Sequence, residues 1–117
     1  MAETVVSVQA VETAGETVVL KVRGDIDMAS RDSFHRSLFE QCSAASGCLV
    51  VVDLSEVGFM GSVGVAGLVE AKARCAERGC TLRVLVVDNR PVLRLLELAS
   101  LMAPLDVHTD PSEITGG

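Results

Sequence analysis

The stretch FMGSVGVAGL, residues 59–68, follows an apolar run that ends in LVVVDLSEVG. It sets Gly61 and Gly64 around Ser62 and Val63, then passes into small apolar residues. A serine at the start of a helix can cap it. Glycines there remove Cβ atoms and allow positive φ, so another backbone can come close. The first N–H groups of a helix have no partner inside it, which favours an anion. Asp25, Asp27 and Asp53 stand near strand ends and are the acidic candidates for catalysis. No histidine accompanies them in sequence, and G-x-S-x-G and G-x-x-x-x-G-K are both missing. An enzyme is therefore not expected, and Asp25 and Asp27 read as turn-formers bonded to nearby N–H groups. His35 reads as a helix-surface residue and His108 as a strand-end residue. The expected role of Ser62 is the N-cap of the following helix.

Cys42, Cys48, Cys75 and Cys80 include no C-x-x-C pair, and with only two histidines no zinc spacing is present. No metal or cofactor is expected. The four thiols read as small buried hydrophobes, with a redox-sensitive pair as the sharper alternative. Cys75 and Cys80 are close in sequence, and Cys42 and Cys48 bracket one loop.

The elements that must carry these residues follow from patterning. Thr4–Val11 and Thr17–Val22 are rich in β-branched residues and are joined through Gly15, which predicts a hairpin. Gly24 and the aspartates of GDID end the second strand. Phe34, Leu38 and Cys42 recur at helical spacing behind Ser30, the N-cap candidate, predicting a helix over 30–41. Leu49–Val52 is a strand buried on both faces. The chain turns at Gly61–Gly64 and is helical over 65–78, with Gly79 as its C′ residue. A strand over 82–87, a helix opened by Asn89-Arg90-Pro91 and a short strand over 105–108 follow. The inner face of that helix is Val92, Leu95, Leu96 and Ala99. The tail DPSEITGG starts like a helix, capped by Asp110, but runs barely a turn before its two glycines, as a truncated C-terminal helix would. Residues 1–117 thus form one α/β domain in the order β-β-α-β-α-β-α-β, a single mixed, mostly parallel sheet with helices.

Composition narrows the partners. Ten basic and sixteen acidic side chains give a net charge of -6, and there is no Trp or Tyr. Such a surface suits neither phosphate backbones nor stacked bases, nor anionic lipid. The opening MAETVVSVQA lacks a basic segment ahead of an apolar one, so no signal peptide is expected and a soluble cytoplasmic protein is.

DLSEVGFMGSVGV resembles the sequence D-L-S-x-V-x-F-M-D-S-S-G-L of STAS domains, specifically of anti-sigma factor antagonists. GDID at residues 24–27 resembles that family's G-E-L-D turn, and DNRPVLRLLELASL resembles its V-x-R-V-L-E-L-T-G-L segment. The resemblance implies a bacterial regulator that binds an anti-sigma factor of the serine-kinase type and so frees a sigma factor. It implies a partner surface made by Gly24, Asp25, Asp27, Gly61, Ser62, Val63 and Gly64. In the family a serine at the start of the second helix is phosphorylated to end binding. Here that position is Val63 and the preceding aspartate is Gly61, which leaves Ser62 as the phosphorylation candidate. Control would then lie in expression, Ser62 or the thiols. The alternative is a STAS scaffold that has left phosphorylation behind, or a redox or small-ligand sensor.

Overall fold

Strands form where β-branched residues pair across a pleated surface. In this computed structural model, which describes residues 6–115, β1 (Ser7–Ala14) and β2 (Thr17–Ile26) make an antiparallel hairpin that closes at Ala14↔Thr17. Gly15 takes the left-handed conformation the turn needs, with φ 60°. Thr4 and Val5 of the expected first strand lie outside the described residues. The second strand does not stop at Val22. It runs on through Gly24 and Asp25 because β3 (Leu49–Met60) is long enough to pair with all of it, with Asp25 opposite Phe59 and Ile26 opposite Met60. Two register shifts absorb the irregular residues, one of them beside Gly24, whose φ is 107°. Parallel pairing over the full strand outweighs the strand-breaking composition of GDID.

Helix α1 (Arg31–Ala44) buries Phe34, Leu38 and Cys42, the stripe read from spacing. Ser30 precedes it but makes no side-chain cap. Its hydroxyl donates to the Asp25 carbonyl at 2.6 Å and accepts from the Asp27 N–H at 3.0 Å, so it closes the turn behind β2 instead. Helix α2 (Ser62–Glu77), β4 (Thr81–Leu85), α3 (Arg90–Leu98), β5 (Val107–His108) and the single turn α4 (Ser112–Thr115) complete the chain. Asn89 caps α3 through the Val92 N–H, and Pro91 lies in its first turn. Gly79 ends α2 with φ 71°.

The sheet order is β1-β2-β3-β4-β5, with every pair parallel except the hairpin. Crossovers that all step the same way, and are right-handed, put their helices on one face. That face holds the main core: Leu20, Val22, Val50, Val52, Leu54, Leu82 and Val84 from the sheet against Phe34, Leu38, Leu68, Ala71, Val92 and Leu96. Helices α1 and α2 approach closely at Gly67, where a Cβ would stand 2.7 Å from the His35 ring and 2.9 Å from that of Phe34.

The opposite face is only partly covered. Ile114 of α4 packs on Val51 and Leu85, leaving an apolar groove of about 390 Å³ along Val11, Val19, Val51 and Val87. Lys21 at the groove belongs to a cluster of salt bridges, and a second lies on β4. Glu56 takes Lys21 at 2.9 Å and Arg23 at 3.2 Å, and Asp106 takes Arg83 at 2.8 Å. His108 joins Asp106 to Glu113 and so ties α4 to β5. Asp110 accepts from the Ser112 N–H at 2.9 Å, the capping role its position predicts.

The Lys21 ammonium and the Arg23 guanidinium hold the Glu56 carboxyl below the usual glutamate range, and the Ser112 N–H does the same for Asp110. A carboxyl whose folded pKa is depressed stabilises the fold above its unfolded pKa and loses that contribution as pH falls through the folded value. Thermal unfolding followed from pH 7 downward should therefore show a decline that begins in the ordinary carboxylate range, where the unfolded chain takes up protons, and continues below it until the folded carboxyls are protonated. Glu56→Gln should make that decline shallower, and an identical slope would remove Glu56 from the acid limb.

Candidate functional site

The bend between β3 and α2 is set by backbone bonds and one steric requirement. The Gly61 N–H donates to the Ile26 carbonyl at 2.9 Å, which fastens the end of β3 to the end of β2. Gly61 is extended, with φ -94° and ψ -175°, a conformation open to any residue. A Cβ on it would meet the Phe59 ring at an ordinary 3.6 Å. Gly64 differs. It lies in the first turn of α2, bonded to the Gly61 carbonyl at 3.0 Å, and is buried. A Cβ there would stand 2.5 Å from Met60 Cγ and 3.0 Å from Ile26 Cγ2. The glycines therefore supply space and not positive φ, and the turn expected over Gly61–Gly64 is only Gly61. Gly64 shapes the site from beneath and is too buried to be a contact residue.

Ser62 is the first residue of α2 and is exposed. It is not the N-cap: Gly61 holds that position, and no side chain caps the helix. The hydroxyl is thus free of the structural duty its neighbourhood predicted. Val63 is half-buried against the core, and its carbonyl accepts the His35 Nε2–H at 3.0 Å. His35 is accordingly half-buried and not a free helix-surface residue. It is wedged between the two helices and fixes the first turn of α2.

The turn after β2 lies at the same end of the sheet. Asp27 Oδ1 accepts from the Ser30 N–H at 3.0 Å, as a turn-former should. Asp25 lays its carboxylate over Gly58, where a Cβ would stand only 2.5 Å from Oδ1. Asp53 is elsewhere, in mid-strand opposite Lys21, accepting from the Ser55 N–H at 2.9 Å. Asp53 thus stands apart from Asp25 and Asp27. Among the described residues no group of three or more His, Cys, Asp and Glu could hold a metal ion, and no helix is long and apolar enough to cross a membrane.

The structure adds a feature the sequence reading missed. Phe59 is 55% exposed and Leu98 73% exposed, and they flank a groove of about 360 Å³ floored by Pro91 and Leu95 and edged by Arg94. Met28, 76% exposed, stands on the turn after β2. Exposed large apolar side chains gathered beside a bare bend mark an interaction surface. A signal for Leu98 was present in the sequence. Arg94 and Leu98 are four apart and out of phase with the buried Val92 and Leu96, so a leucine falls on the outer face of α3.

A mixed five-stranded sheet with three helices on one face, and a glycine bend leading into α2, defines the class. The model of the family described as Mlab, STAS domain matches residues 9–105. The chain belongs to the STAS-domain family of anti-sigma factor antagonists. The anti-sigma-F factor antagonist RsfA of Mycobacterium tuberculosis is 33% identical to it over 93 residues, covering 78% of this chain and 71% of that protein. Two solved structures share the fold. An anti-sigma factor antagonist from Mycobacterium paratuberculosis superposes with a TM-score of 0.82 at 21% identity, over 95% of this chain and 92% of that one. SpoIIAA in its unphosphorylated form does so with 0.70 at 16% identity, over 92% and 90%.

Gly61→Ala should leave stability within about 0.5 kcal/mol of the parent, since nothing crowds the added methyl. Gly64→Ala should cost about 1–3 kcal/mol by overpacking against Met60 and Ile26. Urea unfolding of both variants separates the two, and equal losses would contradict this account of the bend.

Proposed function

We propose that this protein binds an anti-sigma factor of the serine-kinase type and thereby releases a sigma factor. The observation that carries the reading is the apolar surface of Phe59, Leu98 and Met28 beside the uncapped start of α2. A surface with these three side chains in water is stabilised when a partner covers it. Gly61 and Ser62 leave room for a partner backbone to approach, while Gly24, Asp25 and Asp27 form the neighbouring edge. The name of the relative RsfA as an anti-sigma-F factor antagonist supports the partner class.

Regulation departs from phosphorylation at the usual position. Val63 has no hydroxyl, and its place against the core leaves nothing there to modify. Ser62 is the exposed hydroxyl at the helix start, one residue earlier. A phosphate there would add about 1.5–2 negative charges. The unpaired N–H groups of α2 would stabilise it in the free protein, and an apolar partner surface would not. SpoIIAA has been solved in a phosphorylated form, and its structure matches this fold with a TM-score of 0.59 at 18% identity.

A second reading, a small-ligand sensor, is favoured by the groove on the open face of the sheet, which is apolar along Val19 and Val51 and has Lys21, Asp53 and Ser55 at one side.

Binding to purified kinase-type anti-sigma factors of the source organism, followed by calorimetry, tests the main reading. The parent should bind one of them, and Leu98→Asp should weaken that binding by about thirtyfold, the equivalent of about 2 kcal/mol for a central apolar contact. Ser62→Glu should weaken it as well, and mass spectrometry after incubation with the kinase and ATP should find any phosphate on Ser62. Retention of full affinity by Leu98→Asp would take this face out of the interface. Failure of the parent to bind any such factor would leave the sensor reading in its place.

A further inference from the structure

The four cysteines sort into two pairs that sequence proximity did not foresee. Cys42 on α1 and Cys75 on α2 face one another across the two helices and are fully buried. Cys48 and Cys80 form the second pair. Their sulfurs are 3.5 Å apart, and the Cys48 N–H also points at the Cys80 sulfur, at 3.4 Å. Each lies one residue ahead of a strand, Cys48 before β3 and Cys80 before β4. The Thr81 N–H donates to the Cys48 carbonyl at 3.0 Å, which holds the two backbones side by side.

We propose that Cys48 and Cys80 are the site of a reversible intramolecular disulfide, and that Cys42 and Cys75 remain thiols. A disulfide needs its sulfurs at about 2.05 Å, so the pair must close by about 1.5 Å. The two residues sit at the ends of β3 and β4, where the Thr81–Cys48 bond holds the backbones side by side while the side chains turn to close the gap. Access distinguishes the pairs. Cys48 is half-buried and reaches solvent, whereas both members of the inner pair are sealed.

With a peroxide as oxidant the steps balance. The Cys48 thiolate attacks one peroxide oxygen, the O–O bond breaks, and Cys48 becomes a sulfenic acid while the other oxygen leaves as water. The Cys80 sulfur then attacks the Cys48 sulfur, the S–O bond breaks, and a second water leaves as the S–S bond forms. Two thiols have lost two electrons and the peroxide has gained them. A dithiol reductant reverses the bond by exchange. Burial and the Cys80 thiol push the Cys48 thiol up, so the first step is slow at neutral pH and answers sustained oxidation.

The covalent ring so closed runs from residue 48 to residue 80. It contains β3, the Gly61 bend and the whole of α2, while the bond itself lies at the end of β3 remote from that bend. Oxidation therefore restrains the segment that carries Ser62 without covering the proposed partner face. The bond is inferred independently of that partner.

The test uses the full chain treated with hydrogen peroxide, alkylated under native conditions, then digested with trypsin, which cuts at Arg78 between Cys75 and Cys80. The expected product is a peptide linked through Cys80 to the one containing Cys48, lighter by two hydrogens and separated by dithiothreitol. It should be lost in Cys48→Ser and in Cys80→Ser and retained in Cys42→Ser. Cys42 and Cys75 should accept alkylating reagent only after denaturation. The oxidised parent should melt about 5 °C or more above the reduced form, the rise expected for a loop of this length. A linkage through Cys42 or Cys75, disulfide dimers alone, unlinked peptides throughout, or a lower melting temperature on oxidation would each overturn the proposal.

Discussion

The close fit of α2 onto the ends of β2 and β3 is the constraint on which the rest of this protein depends. Gly64 lacks a Cβ where Met60 and Ile26 already fill the space, and the Gly61 N–H fastens the bend to the Ile26 carbonyl. Together they fix where α2 begins. Because α2 begins at Ser62, with a glycine as its cap, its first N–H groups meet no side chain and its first hydroxyl faces solvent. His35 completes the arrangement from the other side by bonding the Val63 carbonyl. A packed interior tolerates few such substitutions, and a shift of one residue here would move Ser62, Val63 and the Phe59 ring at once.

The same constraint explains the division between a buried and an offered surface. Three helices cover one face of the sheet, and their apolar stripes are consumed by it. What remains apolar and exposed is concentrated at the carboxyl ends of the strands, where Phe59 stands beside the groove of Pro91 and Leu95. Ligands and partners of open α/β sheets gather at these ends because no crossover helix covers them. The bend itself carries no charged side chain, although the chain as a whole is acidic. A partner seated there, as proposed, would meet shape and apolar area first, and a phosphate placed on Ser62 would change the character of that surface more than it would on a charged one.

Fold class and element order were legible in the sequence because hydrophobic period and turn chemistry are local properties. The hairpin at Gly15, the Phe34–Leu38–Cys42 stripe, the Asn89-Pro91 helix start and the Gly79 helix end each rest on a few neighbouring residues, and each stands where its pattern placed it. The family resemblance rested on motifs of the same local kind. The exposure of the Gly61-Ser62 bend was foreseen, but its reason was not. Positive φ and room for another chain's backbone were the expected uses of glycine, whereas Gly64 uses its missing Cβ to make room for Met60 and Ile26 of its own chain.

Only the tertiary structure decided which residues meet. Composition ended β2 at Val22, yet pairing with a longer β3 carried it to Ile26, since ladder bonds depend on a strand far away in sequence. Ser30 and Ser62 both read as caps, but one closes a turn and the other is left free, because backbone geometry at each helix start sets what a hydroxyl can reach. His35 read as exposed until α2 packed across it. The thiols nearest in sequence are not partners; the parallel register of β3 and β4 brings Cys48 to Cys80, and helix packing brings Cys42 to Cys75. Sequence fixes what each segment prefers to be, through steric and solvation preferences of neighbouring residues. Contact between segments is settled by the register and packing of the whole, which no local pattern contains.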